Sequence, residues 1–228
     1  MTLATCDSIR ELQKIDLNDI MRCFSEWYYE NSYTASGEVF DIGGTTASAI
    51  RRYSPGCESV KCGLDHVSAN GNGSLMRIIP FAFCNCAKEE IQNVSKLTHA
   101  HNISVTACEI YVQIAQRLLN GEMIKDILGT MEFRGPFERL TRIGDLEEKE
   151  IASSGYVIHT LEAASWCLLT TNSYEECVLK AVNLGEDTDT TGAVAGGLAG
   201  IVYGYDNIPS KWIDILINKD LIEKCLFA

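Results

Sequence analysis

Proline is scarce, with four residues in a chain of 228. Beside 46% hydrophobic and 22% charged residues, that scarcity excludes collagen-like and disordered chains and leaves ordinary globular composition. Long apolar runs are lacking too. The longest, residues 191–203, falls short of the ~20 residues that span a bilayer, so no membrane role is expected. Bases are outnumbered, 19 against 31 acids, for a net charge of −12. A field of that sign repels phosphate backbones and anionic lipid, which excludes general nucleic-acid or membrane-surface binding. A phosphate ligand bridged by a metal ion is left open. No pair of cysteines has CxxC spacing; the nearest are Cys84 with Cys86 and Cys57 with Cys62. Ten cysteines in 228 residues is about 4%, well under the roughly 8–10% of disulfide scaffolds. Met1 to Cys6 leads into polar, charged sequence, unlike a secretory leader. The cysteines are therefore expected as free, mostly buried thiols in a reducing cytoplasm, and a zinc site is not expected.

What is present is helical periodicity. Leu17, Ile20, Met21, Phe24, Trp27 and Tyr28 recur at three- and four-residue steps, with Asp16 at the N-cap and Asp19 three residues on. Ile103, Ala107, Ile110, Ile114, Ala115 and Leu118 repeat the pattern up to Asn120-Gly121, a C-terminal stop. Residues 157–169 form another helical stretch. Ser173 and Glu176 have capping-box spacing for a helix running to Leu184. Residues 213–226 close the chain as one or two short helices. Segments 37–44, 55–73 and 133–154 carry the glycine, proline and charge of loops. Strand signals are weak and no repeat is visible. The expectation is an all-α fold in a single domain over residues 1–228, with long loops around its functional surface.

Two runs carry chemistry. In Gly185-Glu186-Asp187-Thr188-Asp189-Thr190-Thr191-Gly192, Asp187, Asp189 and Thr190 offer hard oxygen ligands that suit Mg²⁺ or Mn²⁺. The same acids could simply cap the helix that follows. That helix has Gly192, Gly196, Gly200 and Gly204 at four-residue steps, beside Ala195 and Ala199. Each interior glycine costs about 1 kcal/mol relative to alanine, so close packing against neighbouring helices is expected to offset the loss. Carboxylates at its start would then sit in a pocket, where paired acids need a cation. In Asn70-Gly71-Asn72-Gly73-Ser74-Leu75-Met76-Arg77, alternating Asn and Gly predict positive φ and exposed N–H groups, either a phosphate cradle or an ordinary turn.

Together these runs resemble the ADP-ribosylglycohydrolase family. Val39-Phe40-Asp41-Ile42-Gly43, Leu97-Thr98-His99 and Ser154-Gly155-Tyr156-Val157 are similar to further family motifs, in the same order. The resemblance covers nearly the whole chain. It implies an all-α fold, a centre of two Mg²⁺ ions (Mn²⁺ being an alternative) and hydrolysis at the anomeric carbon of ADP-ribose conjugates, on a protein or a small molecule. By position it makes Asp187, Asp189 and Thr190 metal ligands. It makes Asn70, Gly71, Asn72, Gly73 and Ser74 the lining of the diphosphate and ribose, with His99 facing the ligand. Gly155 and Tyr156 join the ligand site, Tyr156 near the adenine. Asp41 matches a family position without an assigned role. His99 and Tyr156 also have ordinary core readings, and His66, His101 and His159 are expected to be structural or exposed.

One departure stands out. The family usually carries about fifty further residues at its N-terminus, with a Glu and a Thr-Asp-Asp run that complete the metal site, and the chain is expected to correspond to the part that follows them. No catalytic acid can be assigned within it on that footing. A weaker metal site and exposed apolar surface are expected, with a binding protein of impaired catalysis as the alternative to a working hydrolase.

Overall fold

The computed structural model describes residues 1–54 and 56–227. Eleven α-helices follow one another among these residues: α1 (Thr2–Leu12), α2 (Leu17–Glu30), α3 (Gly44–Tyr53), α4 (Lys88–Lys96), α5 (Asn102–Leu119), α6 (Ile124–Thr130), α7 (Val157–Leu169), α8 (Tyr174–Asn183), α9 (Thr188–Tyr203), α10 (Ser210–Asp214) and α11 (Lys219–Cys225). The only β pairing among the described residues is two isolated bridges, Leu64 with His99 and Gly71 with Tyr156. The fold is all-α, as the periodicity predicts. No helix among the described residues is long and apolar enough to cross a membrane.

The central element is α7. Only His159 and Leu169 of its thirteen residues escape burial, so the helix has no broad solvent face. Helices α5, α8 and α9 and the 3₁₀ stretch Gly135–Asp145 pack round it. That stretch and Glu148–Glu150 replace much of the loop expected over 133–154. The apolar run after the Asn-Gly loop forms no α-helix; it makes two 3₁₀ turns, Leu75–Arg77 and Ile79–Phe83, with Pro80 in the first turn of the second. The ten cysteines are free thiols: Cys57, Cys84 and Cys86 are half-buried and the others buried.

Helix ends follow local chemistry. Asp16 Oδ1 accepts from the N–H groups of Asn18 and Asp19 at 3.1 Å each and so starts α2. Asp19 does not reach back to complete a box; it takes the guanidinium of Arg22 at 2.8 Å. Ser173 Oγ accepts from Glu176 N–H at 3.1 Å, while the Glu176 carboxylate closes on Asn172 N–H at 2.9 Å. Helix α5 ends at Leu119, with Gly121 at φ 84° just beyond.

The glycines of α9 meet side chains and not the backbones of crossing helices. A Cβ added at Gly192 would lie 2.9 Å from Val182 Cγ1, and one at Gly196 3.4 Å from Val178 and Tyr174, all on α8. Gly197 is as tight, 2.8 Å from the hydroxyl of Tyr111 on α5. Gly204 differs: at φ 79° with open space around it, it ends the helix. The stripe thus lets α8 lie close against α9, and its last glycine sets where α9 ends.

The tightest approach is at Gly63, where a Cβ would lie 2.0 Å from the carbonyl oxygen of Lys96. Beside it Leu64 N–H donates to Thr98 O at 3.1 Å and Ala100 N–H to Leu64 O at 3.0 Å, which clamps the backbone on both sides of His99. Because the obstacle is backbone, Gly63→Ala should lower stability by about 2–3 kcal/mol. A urea melt reads the difference, and an unchanged midpoint would contradict this packing.

Candidate functional site

Four segments, together with His99 from the turn before α5, meet at one cleft of about 670 Å³. They are the entry to α3, the Asn-Gly loop, the segment before α7 and the start of α9. Gly71, Asn72, Gly73, His99, Gly155, Asp187, Asp189 and Thr190 line it, with Asp41 and Glu186 among their neighbours.

Backbone bonds lash the segments together. Asn72 N–H donates to Gly155 O and Val157 N–H to Asn70 O, both at 3.0 Å. Asp187 N–H donates to Ser153 O at 3.1 Å, and Ser153 Oγ to Gly185 O at 2.9 Å. The Asn72 side chain adds the longest-range link: its Nδ2 donates to Thr160 Oγ1 on α7 at 2.8 Å and to Asp187 Oδ2 at 2.9 Å.

The loop glycines do a different job from the one their pattern predicts. Neither Gly71 nor Gly73 has positive φ. They are required for close approach: a Cβ on Gly73 would lie 2.9 Å from His99 Cε1 and 3.0 Å from Thr46 Oγ1. Gly155 is similar, 3.1 Å from Asp187 Oδ2. The left-handed residues near the cleft are Gly185, Glu186 (φ 54°) and Asp41 (φ 47°). The two acids hold a conformation that disfavours L side chains by about 1–2 kcal/mol each.

Asn70, Ser74 and Tyr156 are not on the cleft lining. Asn70 Oδ1 accepts from Ser104 N–H (3.2 Å) and Ser104 Oγ (3.0 Å) and lies 3.0 Å from His101 Nδ1, so it satisfies the first turn of α5. Its Nδ2 donates to Val67 O at 2.9 Å. Ser74 is fully buried and accepts from the Cys108 thiol at 3.4 Å. Tyr156 is the N-cap residue of α7, its ring edge-on to His159 with centroids 5.1 Å apart. The loop does not alternate like a strand: Gly71, Asn72 and Gly73 in succession line the cleft, while Asn70 and Ser74 at either end turn into the core. His66 pairs with Ser68 and His159 with Ser154, at 2.8 and 2.7 Å.

Composition and spacing did not single out Thr45 and Thr46, which line the cleft at the start of α3. Their available signal was Gly43-Gly44-Thr45-Thr46, a glycine pair opening a helix. No side chain caps α3, so its first N–H groups are open to a ligand. The start of α9 is different, carrying Asp187 at the N-cap and Asp189 in the first turn, where the helix dipole favours negative charge. Burial alone would raise the Asp187 carboxyl, but donation from Asn72 and Thr190 outweighs it and holds the group below its ordinary range. His99 is 2% exposed, its Nδ1 lies 2.8 Å from Thr98 Oγ1, and burial and then the nearby Arg77 charge pull its pKa down to about 3. It is therefore neutral at physiological pH.

Asp187, Asp189 and Thr190 are hard oxygen donors of the kind Mg²⁺ takes. Among the described residues no three His, Cys, Asp or Glu side chains converge to hold an ion. The residues therefore fit one hydrated Mg²⁺, which usually keeps several waters and needs one or two carboxylates, and do not by themselves make a cage for two.

The comparisons with known proteins agree with this architecture. The family model for ADP-ribosylglycohydrolase matches residues 1–228, so the chain belongs to that family. It is 31% identical to the ADP-ribosylarginine hydrolase Tri1 of Serratia proteamaculans over 97% of its own length. It spans 63% of that relative. It is 29% identical to the ADP-ribosyl-[dinitrogen reductase] glycohydrolase of Rhodospirillum rubrum, over 96% of this chain and 72% of that one. A solved structure, an ADP-ribosylglycohydrolase-related protein complex, superposes with a TM-score of 0.79 at 28% identity, covering 98% of this chain and 77% of its own.

The Asn72 bridge makes a measurable prediction. Asn72→Ala removes two bonds, one of them to a carboxylate, and should cost about 2 kcal/mol at neutral pH. The Asp187 carboxyl is held below its unfolded value, so its contribution is present above pH ~4 and is lost as pH falls through the folded value. The gap between wild type and variant should shrink in urea melts taken progressively below pH 4. A gap that stays constant would remove Asp187 from the interaction.

Proposed function

We propose that the chain carries the catalytic site of a Mg²⁺-dependent hydrolase that removes ADP-ribose from modified arginine side chains. The observation that carries this reading is the convergence of Asp187, Asp189 and Thr190 with the Gly71–Asn72–Gly73 loop and His99 on one cleft. Membership of the family supports the reaction class. Two relatives named as ADP-ribosylarginine hydrolases, with 31% and 29% identity, support arginine as the linkage.

Each part of the cleft has a task on this reading. The open N-terminus of α3, with Thr45 and Thr46, suits the diphosphate, which needs N–H donors in so acidic a protein. Asp187, Asp189 and Thr190 hold the Mg²⁺, which when bound would supply positive charge for the ribose hydroxyls and for a water. Asn72 keeps Asp187 ionised and aimed. Gly155 gives Asp187 room. Asp41 and Glu186 add negative charge, which favours a guanidinium conjugate over a neutral one. Cleavage at an anomeric carbon passes through oxocarbenium-like charge, which an anionic cleft also stabilises.

One observation favours a second reading, ADP-ribose binding without turnover: no third acidic or histidine ligand joins Asp187 and Asp189 among the described residues. The test is release of ADP-ribose from an ADP-ribosylarginine protein, with calorimetric titration of ADP-ribose beside it, each with and without Mg²⁺. Metal-dependent release that falls by about a hundredfold in Asp187→Ala supports the hydrolase. Metal-dependent heat without release selects the binding protein. Release that survives both chelation and Asp187→Ala would overturn the metal assignment.

A further inference from the structure

Arg77 is the largest fully buried side chain described, and among the described residues its hydrogen-bond partners are a carbonyl and a hydroxyl, with no carboxylate. Its Nη2 donates to Val94 O at 3.1 Å and to Thr98 Oγ1 at 2.8 Å, and its guanidinium sits 4.7 Å from the centroid of Phe24. Its Nε and Nη1 have no protein partner. A lone guanidinium in the core is costly, and a packed apolar side chain would normally replace it. Its neighbours give it a task that no apolar residue could perform.

Guanidinium only donates. Thr98 Oγ1 must therefore accept from Arg77, and its own proton is left to give. The remaining polar atom in hydrogen-bond range of that hydroxyl is His99 Nδ1, at 2.8 Å. With Thr98 donating, Nδ1 is the acceptor, and the ring proton of a neutral histidine must sit on Nε2. Nε2 lies on the loop side of the ring, 3.3 Å from the Cβ position of Gly73 and 3.6 Å from that of Gly71. His99 lines the cleft there.

We propose that Arg77 and Thr98 are positioning residues that lock His99 as a neutral Nε2–H donor aimed at an oxygen of the bound ligand. The relay runs from donor-only guanidinium to hydroxyl to imidazole, and each step fixes the direction of the next. A ring locked in this form has no lone pair to offer at Nε2. His99 therefore binds an acceptor oxygen and takes no proton from water or substrate. The ligand half of the proposal rests on ADP-ribose occupying the cleft; the tautomer half does not.

The experiment separates the two. Ring-nitrogen NMR of the uniformly ¹⁵N-labelled chain without ligand reports which nitrogen of each of its four histidines is protonated. His99→Gln identifies the His99 signals by their loss. Wild-type His99 is expected as a single Nε2–H tautomer. Thr98→Val, which keeps the shape and removes the hydroxyl, should give mixed tautomers, and Thr98→Ser should restore the wild-type pattern. ADP-ribose affinity should fall about tenfold in Thr98→Val and return in Thr98→Ser. An Nδ1–H ring in the wild type, or an unchanged tautomer in folded Thr98→Val, overturns the relay. The wild-type spectrum decides the direction of the bond even if Thr98→Val does not fold. Failure of ADP-ribose to bind wild type, beside the expected tautomer pattern, would instead sink the functional reading and leave the relay standing.

Discussion

One side-chain amide holds the site together. Asn72 joins the glycine loop to Thr160 in α7 and to Asp187 at the head of α9, residues 88 and 115 positions away in the chain. Each partner is fixed by its own helix, so the loop has a single position that satisfies both. That position sets the others. Gly73 lies against His99 and Thr46, Gly155 lies against Asp187, and none of these contacts leaves room for a methyl group without movement. The cleft is consequently a product of packing density as much as of polar chemistry, and side chains held this way lose little entropy when a ligand arrives.

Charge in the cleft is divided in the same geometric manner. Two helix N-termini open onto it, and each offers a partial positive charge. At α9 the sequence answers with Asp187 and Asp189. At α3 it answers with glycine and threonine, which leave the N–H groups free. On the proposed reading, a protein with net charge −12 keeps one local place for an anion beside one for a cation. A ligand carrying a diphosphate and a ribose bears, on that reading, both demands within its own length.

Much of this was legible in the sequence because it depends on local patterns. Helices α2, α5, α7, α8 and α9 follow from three- and four-residue spacing, capping acids and hydroxyls, and glycine stops. Helices α1, α3, α4 and α6 were not singled out: α3 and α6 are short, and α1 begins at the second residue with no capping side chain. The Asn-Gly loop is recognisable as a special segment, but its pattern predicts positive φ where the glycines in fact serve close contact. No single-chain pattern distinguishes those two uses, since close contact depends on what the rest of the fold brings near. The same holds for Asn70 and Asn72. They are the same residue two positions apart, and only the lashing of Asn70 O and Asn72 N–H to the segment before α7 decides which faces the cleft.

The two conformational strains at the cleft, Asp41 and Glu186, then acquire a physical sense. A glycine at either position would relax the backbone at no steric cost. Acidic side chains are found there instead, each next to an element that ends at the cleft: Asp41 before α3 and Glu186 before α9. Replacing either by glycine would gain backbone stability and remove negative charge from the rim. The Asn72 contact runs the opposite way, since it stabilises the fold and keeps Asp187 ionised together. Of the four acids in the cleft, Asp187 is thus bonded in by the fold, Asp189 sits in the first turn of α9, and Asp41 and Glu186 are carried on strained backbone. A bound cation, whether a metal ion or a guanidinium, would relieve the repulsion among them all.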